Sequence, residues 1–331
     1  MWDFSMREAL GLMRKTFPFV LFRMFIYFAI AVAYVVTTGT GAGIGWGIGA
    51  AGDEDFRAQS VFWGGTIGFA VTAGIILFLR QYILYIVKAG HIAVMVEALE
   101  GRDLPAGGAQ VGHARKIVQD RFATANVLFG VDLLIKGVLR AVTGLVQGIA
   151  NLLPIPGVNQ VMGIVRAFLR LAVGLIDEVI LAYLIREKSE NPWKDAQTAL
   201  VLYGQNYKPM LGNAFWLMLF VYGLSAAVFL VMLAPAAAVV YMIPGAWAAG
   251  GFVFAILFAW AFKAALIEPF AIACMLQVYF AKIEGQTANP EWEAKLSGMS
   301  NKFARLGEKA ANWTTRKGPD FSQANSAPKS Q

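Results

Sequence analysis

Two apolar stretches of the chain carry ionisable residues at helical spacing. Asp132, Lys136 and Arg140 recur every fourth residue and lead to Gln147 and Asn151, while Asn159, Arg166, Arg170 and Asp177 form a second series that ends beside Glu178. Residues three and four apart share one face of an α-helix, so each series is a polar stripe on an otherwise apolar cylinder. Each such group costs roughly 2.5–3.5 kcal/mol at a bilayer centre, which turns it toward protein, water or an opposite charge. Folded back about 154–157, the stretches form an antiparallel hairpin with Arg140 level with Arg170, and Asp132 and Lys136 level with Asp177 and Glu178. The chemistry open to this set is electrostatic. It includes ion pairing that locks a bundle, charges resting among headgroups, and a hydrated path for a small solute.

A further candidate is the run containing Lys263 and Glu268-Pro269. Proline removes one helical hydrogen bond and can kink the chain, so Glu268 reads either as a titrating group or as the cap of a helix break. Lys263 lies five residues before Glu268, on a different face of a regular helix, and a partner from another helix is expected.

Groups for covalent or metal chemistry are sparse. The one cysteine, Cys274, sits in an apolar run, and the two histidines, His91 and His113, occur in no zinc-protease pattern. His91 reads as a surface residue and not as a ligand. Phosphate-binding and nucleophile-elbow motifs are absent, and the alternating glycines from Gly39 to Gly49 follow an apolar span instead of a first β-strand, which excludes a dinucleotide loop. They permit close helix approach or a flexible exit from that span. The expectation is a protein that is not an enzyme and uses no cofactor or metal.

The elements that must position the charges follow from composition. Hydrophobic residues make up 58% of the 331 positions and charged residues only 15%, which is too apolar for a soluble domain. Six apolar blocks, at about 18–38, 61–87, 125–153, 158–185, 210–241 and 247–280, reach the roughly 20 residues that cross a hydrocarbon core. They lack the alternation of barrel strands, and the first block lacks a convincing cleavage site, so all are read as retained helices. The expected fold is an all-α polytopic membrane protein of three hairpins, with a membrane domain over 18–285. Lys and Arg concentrate in the N-terminal segment 1–17, the two even-numbered loops and the C-terminal tail, whereas the loop at 39–60 has only Arg57 against Asp53, Glu54 and Asp55. The positive-inside rule then puts both termini in the cytoplasm of a bacterial-type inner membrane. The formal charge of +7 is an orientation signal, with anionic lipid as a partner and nucleic acid excluded.

An amphipathic segment precedes each pair of spans, at 5–16, 109–124 and 193–207, and a fourth follows at 286–313. Chance or a threefold duplication both account for the pattern. In the fourth segment Trp292, Leu296, Met299, Phe303, Leu306 and Trp313 lie on one stripe flanked by lysines and an arginine, which is read as a membrane-surface helix, with a protein partner as the alternative. Residues 314–331 read as a disordered tail.

Tyr203-Gly204-Gln205-Asn206-Tyr207, followed by Asn213-Ala214-Phe215-Trp216-Leu217-Met218, resembles the C-terminal part of the choline-transporter-like family, and so does the run from Phe280 to Glu284-Gly285. Lys282-Ile283-Glu284 stands where that family's pattern has an acidic dipeptide. The resemblance covers 196–285 and implies a multi-pass helical protein of transporter type. The family's additional spans and large extracellular region have no counterpart here, so choline is not carried over as the substrate.

Two function classes remain. One binds or conducts a small polar or charged solute along the stripes of the third, fourth and sixth spans. The other is a membrane scaffold or assembly subunit that recruits lipid, a second copy or another membrane protein through its amphipathic helices.

Overall fold

The computed structural model describes residues 2–79, 84–122, 127, 130–141, 158–188, 190–243 and 250–313. The turn at 154–157, Gln147, Asn151, most of the turn at 243–246 and the tail from 314 lie outside these residues.

Apolar runs without internal breakers give long helices. α1 (Met6–Lys15) is capped by Ser5, whose hydroxyl accepts from the Glu8 amide, and it leads into α2 (Phe17–Gly49), which has Pro18 in its first turn where the missing N–H costs nothing. α3 (Glu54–Leu79) returns against α2. α4 (Tyr85–Leu99), α5 (Ala109–Phe122) and α6 (130–141) follow, then α7 (Val158–Glu187), α8 (Pro192–Gln205) and α9 (Tyr207–Met242). The next long helix, Gly250–Ile283, comprises α10 (Gly250–Phe262), one π turn (Lys263–Ile267) and α11 (Glu268–Ile283). α12 (Pro290–Met299) and α13 (Asn301–Ala311) complete the described chain, which contains no strand among those residues.

Four of these helices are long and apolar enough to cross a membrane: α2, the Glu54–Leu77 part of α3, α9, and Gly250–Ile283. Their outward faces carry Phe25 at 74% exposure, Ile67 at 59% and Val231 at 67%, surface that water would not tolerate and lipid covers. α2 with α3, and α9 with α10–α11, form two antiparallel hairpins that meet where α10 lies against α2.

The glycine series is helical and makes a close helix contact. A Cβ built on Gly41 would stand 2.1 Å from the Gly64 carbonyl oxygen, one on Gly45 2.0 Å from that of Ser60, and one on Gly68 2.1 Å from that of Thr37. Only glycine lets the backbones of α2 and α3 approach this closely.

The charged ends gather on one side. Asp3 accepts from Asn213 at the start of α9 and lies 3.5 Å from Lys282 at the end of α11, so the N-terminal segment and the last helices share one end of the bundle. Here α1, α7, α8 and α9 pack against α11 and bury Ala273 to Leu276 and Tyr279. Asn191 and Asn289 cap α8 and α12, each followed by a proline in the first turn: their side chains accept from the amides of Lys194 and Glu291.

The C-terminal stripe differs from its expected place on a membrane surface. Ser300 adopts an extended conformation and divides it into α12 and α13, which fold across α8 and bury Leu296, Phe303 and Leu306, the last two completely. Trp313 donates to the Glu190 carbonyl at 2.7 Å, and Asn191 donates to that of Ala310 at 2.8 Å. Trp292 covers Gly204, while Met299 and Trp313 are half-buried. Helical periodicity showed that one face is apolar, and the chain itself supplies the cover.

Candidate functional site: a charged cleft

The polar stripes converge on a cleft of about 440 Å³ among α2, α4, α6, α7, α9 and α10–α11. That volume lies in the range of small-molecule sites. α6 and α7 contact each other through charge: Lys136 Nζ is 2.7 Å from Asp132 Oδ2 on its own helix and 3.6 Å from Asp177 Oδ2 on α7. Glu178, next to Asp177, pairs with Lys88 of α4. The Lys136 ammonium also lies 5.1 Å from the ring centre of Tyr85.

Lys263 and Glu268 come together on one helix, unlike the separate faces expected of them. The reason is the π turn, whose wider winding brings residues five apart into line and puts Lys263 Nζ 3.1 Å from Glu268 Oε1. The same turn leaves a carbonyl without a helical donor. The Glu268 amide bonds to the Lys263 carbonyl, and the residue that would serve Ala264 in this register is Pro269, which has no N–H. Arg23 of α2 fills the gap: its Nη2 donates to the Ala264 oxygen at 2.5 Å and lies 3.9 Å from Glu268 Oε2. The partner sought for Glu268 on another helix is thus Arg23. That guanidinium is completely buried, and its Nε and Nη1 have no hydrogen-bond acceptor among the described residues.

Of the residues singled out from sequence, Lys136, Arg170, Asp177, Glu178, Lys263 and Glu268 line the cleft, and Asp132 stands behind Lys136. Arg140 is on the exposed side of α6 and is not a lining residue. Arg166 belongs to α7, but its side chain lies outside the described residues. Arg23 and Lys88 are two further residues of the site that were not among the sequence candidates. Their signal was present in the sequence, since a cation one turn inside an apolar run needs a partner. Tyr27, Tyr85, Tyr222 and Trp260 complete the walls.

His91 is not at the surface. It is fully buried on α4, stacked on Phe19 at 5.1 Å, with Nε2 3.2 Å from the Thr16 hydroxyl. Burial, reinforced by the Arg23 charge, holds its pKa well below the ordinary histidine value. Gln110 of α5 accepts from the Phe19 amide and donates to the Lys15 carbonyl, so this cluster fixes the joint between α1 and α2.

The Tyr203 to Tyr207 motif has a structural task. Gln205 donates to Gln286 and to the Thr287 carbonyl and accepts from the Asn289 amide, and Asn206 donates to Gln286, which ties the α8–α9 junction to the loop after α11. Cys274 is buried within that end of the bundle, and no cluster of three metal-ligating side chains occurs among the described residues.

No family model, curated protein or solved structure matches the chain.

Proposed function

We propose that the protein is a six-span inner-membrane protein with both termini in the cytoplasm, which binds or conducts a small polar or charged solute through the cleft. The observation that carries this reading is the lining: four cations and three carboxylates from four helices face one space of about 440 Å³ inside a bundle whose outer surface is apolar. Ion pairs that served only to lock helices would gain from a dry, closed contact, and an open space between them loses that gain. The inward fold of α12 and α13 favours this reading over the scaffold class, since it removes the apolar stripe from the surface that would recruit a partner.

The six-span count rests on α7. Its 30 residues extend about 45 Å at 1.5 Å per residue, enough to cross, and the charges that weaken its apolar score are turned to the cleft in Asp177 and Glu178.

Single cysteines in a Cys274→Ala background test both parts. A cysteine at Gly174, where an added Cβ meets nothing within 4 Å, should react with a small hydrophilic thiol reagent, whereas one at exposed Leu133 should be shielded by lipid. A cysteine at Asn159, near the start of α7, should be labelled by an impermeant reagent from the periplasmic side. Unreactive Gly174→Cys would sink the cleft reading, and cytoplasmic labelling of Asn159→Cys would sink the six-span topology.

A further inference from the structure

The charges around the cleft are unevenly matched. Lys88 and Glu178 pair one to one, Lys136 is shared by Asp132 and Asp177, and Glu268 is shared by Lys263 and Arg23. Arg170 lines the same space and has no carboxylate or hydrogen-bond partner among the described residues. The α6 side of the cleft therefore holds a surplus of negative charge, whereas Arg170 gives another part of its wall a positive charge that no described carboxylate answers. Arg170 precedes Asp177 by seven residues, about 10 Å along α7 at the α-helical rise, so this positive side stands apart from the Asp132–Lys136–Asp177 cluster.

We propose that the positive side of the cleft binds the phosphate head of an amphiphilic phosphate ester, with Arg170 as its principal ligand. This rests on the cleft being an accessible binding space, as proposed above, and names what it takes. A guanidinium presents a planar fork of donors that matches phosphate oxygens two at a time. Space for such a group exists beside it, because Gly174, one turn on, has nothing within 4 Å of an added Cβ. The Tyr222 hydroxyl donates to the Ala167 carbonyl at 3.5 Å, one turn before Arg170, which sets α9 against this part of α7. Behind these polar groups Leu171, Val221 and Trp260 form an apolar wall suited to the ester's carbon chain. The head can come from a membrane phospholipid or from a soluble ester such as glycerol 3-phosphate, and both present the same chemistry to Arg170.

The test uses the full chain in phosphatidylcholine nanodiscs, with the thermal midpoint as readout. One arm adds graded phosphatidic acid to the disc, and the other adds glycerol 3-phosphate to the buffer. The native chain should be stabilised in at least one arm. Arg170→Gln should need about tenfold or more of the probe for the same shift, Arg170→Lys should fall between, and Arg7→Gln, at an exposed cation of α1, should match the native chain. Because Arg170 is exposed and has no partner among the described residues, Arg170→Gln should fold with an unshifted midpoint in the absence of probe. A response to phosphatidic acid alone assigns the head to lipid, and a response to glycerol 3-phosphate assigns it to a soluble ester. Equal responses of native chain and Arg170→Gln, or no response in either arm, would overturn the assignment. If Gly174→Cys is still labelled in that event, the cleft stands and takes a different solute.

Discussion

Changing Glu268 to Gln keeps the shape of the side chain and removes the carboxylate that Arg23 and Lys263 share. At 3.9 and 3.1 Å, and with an effective dielectric of about 20, each attraction is about 4–5 kcal/mol before desolvation is counted. Most of that is offset. The carboxylate's own burial is relieved by neutralisation, its side chain is 34% accessible and partly screened, and Gln keeps one acceptor for the lysine. Arg23 is the side that suffers, because its side chain is 1% accessible and, among the described residues, keeps the Ala264 carbonyl as its one hydrogen-bond acceptor. The net loss should be about 2 kcal/mol, below the roughly 3–5 kcal/mol for breaking a fully buried pair. Arg23→Met removes the cation together with its desolvation penalty, and the double variant should therefore be less unstable than the two single losses combined, by about 1 kcal/mol or more. The assay is equilibrium unfolding of the full chain in mixed micelles, followed by circular dichroism for the native chain, both single variants and the double variant. Strict additivity would refute the coupling of Arg23 to Glu268, and with it the account of why the π turn, Pro269 and a buried arginine occur together.

Two further outcomes follow from local geometry. Gly41→Ala should destabilise the α2–α3 hairpin by about 1–3 kcal/mol, because its Cβ would sit 2.1 Å from a backbone oxygen that cannot swing aside, while Gly43→Ala, with nothing within 4 Å, should unfold like the native chain; equal midpoints for the two in the same assay would discount the close backbone contact. The buried His91 must stay neutral in the fold, so the unfolded chain binds the extra proton below its ordinary pKa near 6.5: stability should be level above about pH 6.5 and decline as the pH falls, and His91→Gln should flatten that decline in thermal midpoints taken from pH 7.5 to 5.5.

What the sequence revealed depended on whether a signal had one physical cause or two. Long apolar runs have one, and α2, α3, α9 and the Gly250–Ile283 helix all overlap the runs that composition marked, although α2 and α3 extend into the loop expected at 39–60 and α3 ends at Leu79 instead of 87. Helix caps are equally direct, as Asn191 and Asn289 show. The four-residue spacing of Asp132 and Lys136 is direct in the same way, because residues four apart share one helix face, and Lys136 also lies 3.6 Å from Asp177. Arg23 and Lys88 were missed as site residues because a cation near a span end has two explanations. It can orient the chain through the positive-inside rule, or it can answer a charge inside the bundle, and the local sequence is the same for both. The amphipathic stripe from Trp292 to Trp313 was ambiguous in the same way, since periodicity describes a face and says nothing of what covers it.

The π turn was illegible for a deeper reason. Its five residues, Lys263 to Ile267, are ordinary helix formers with no local preference for the wider winding. What stabilises it is assembled from two distant places in the chain: Pro269, which cannot donate in either register, and Arg23, which supplies the donor from another helix. In a regular helix the Glu268 amide would return to the Ala264 carbonyl, Arg23 would lose its closest acceptor, and Lys263 would rotate away from Glu268. A long-range contact thus selects the local winding, and the winding in turn places both charges at the cleft. Proline inside an apolar run marks where this exchange can occur. Only a search for a buried cation elsewhere in the chain would have indicated that it does.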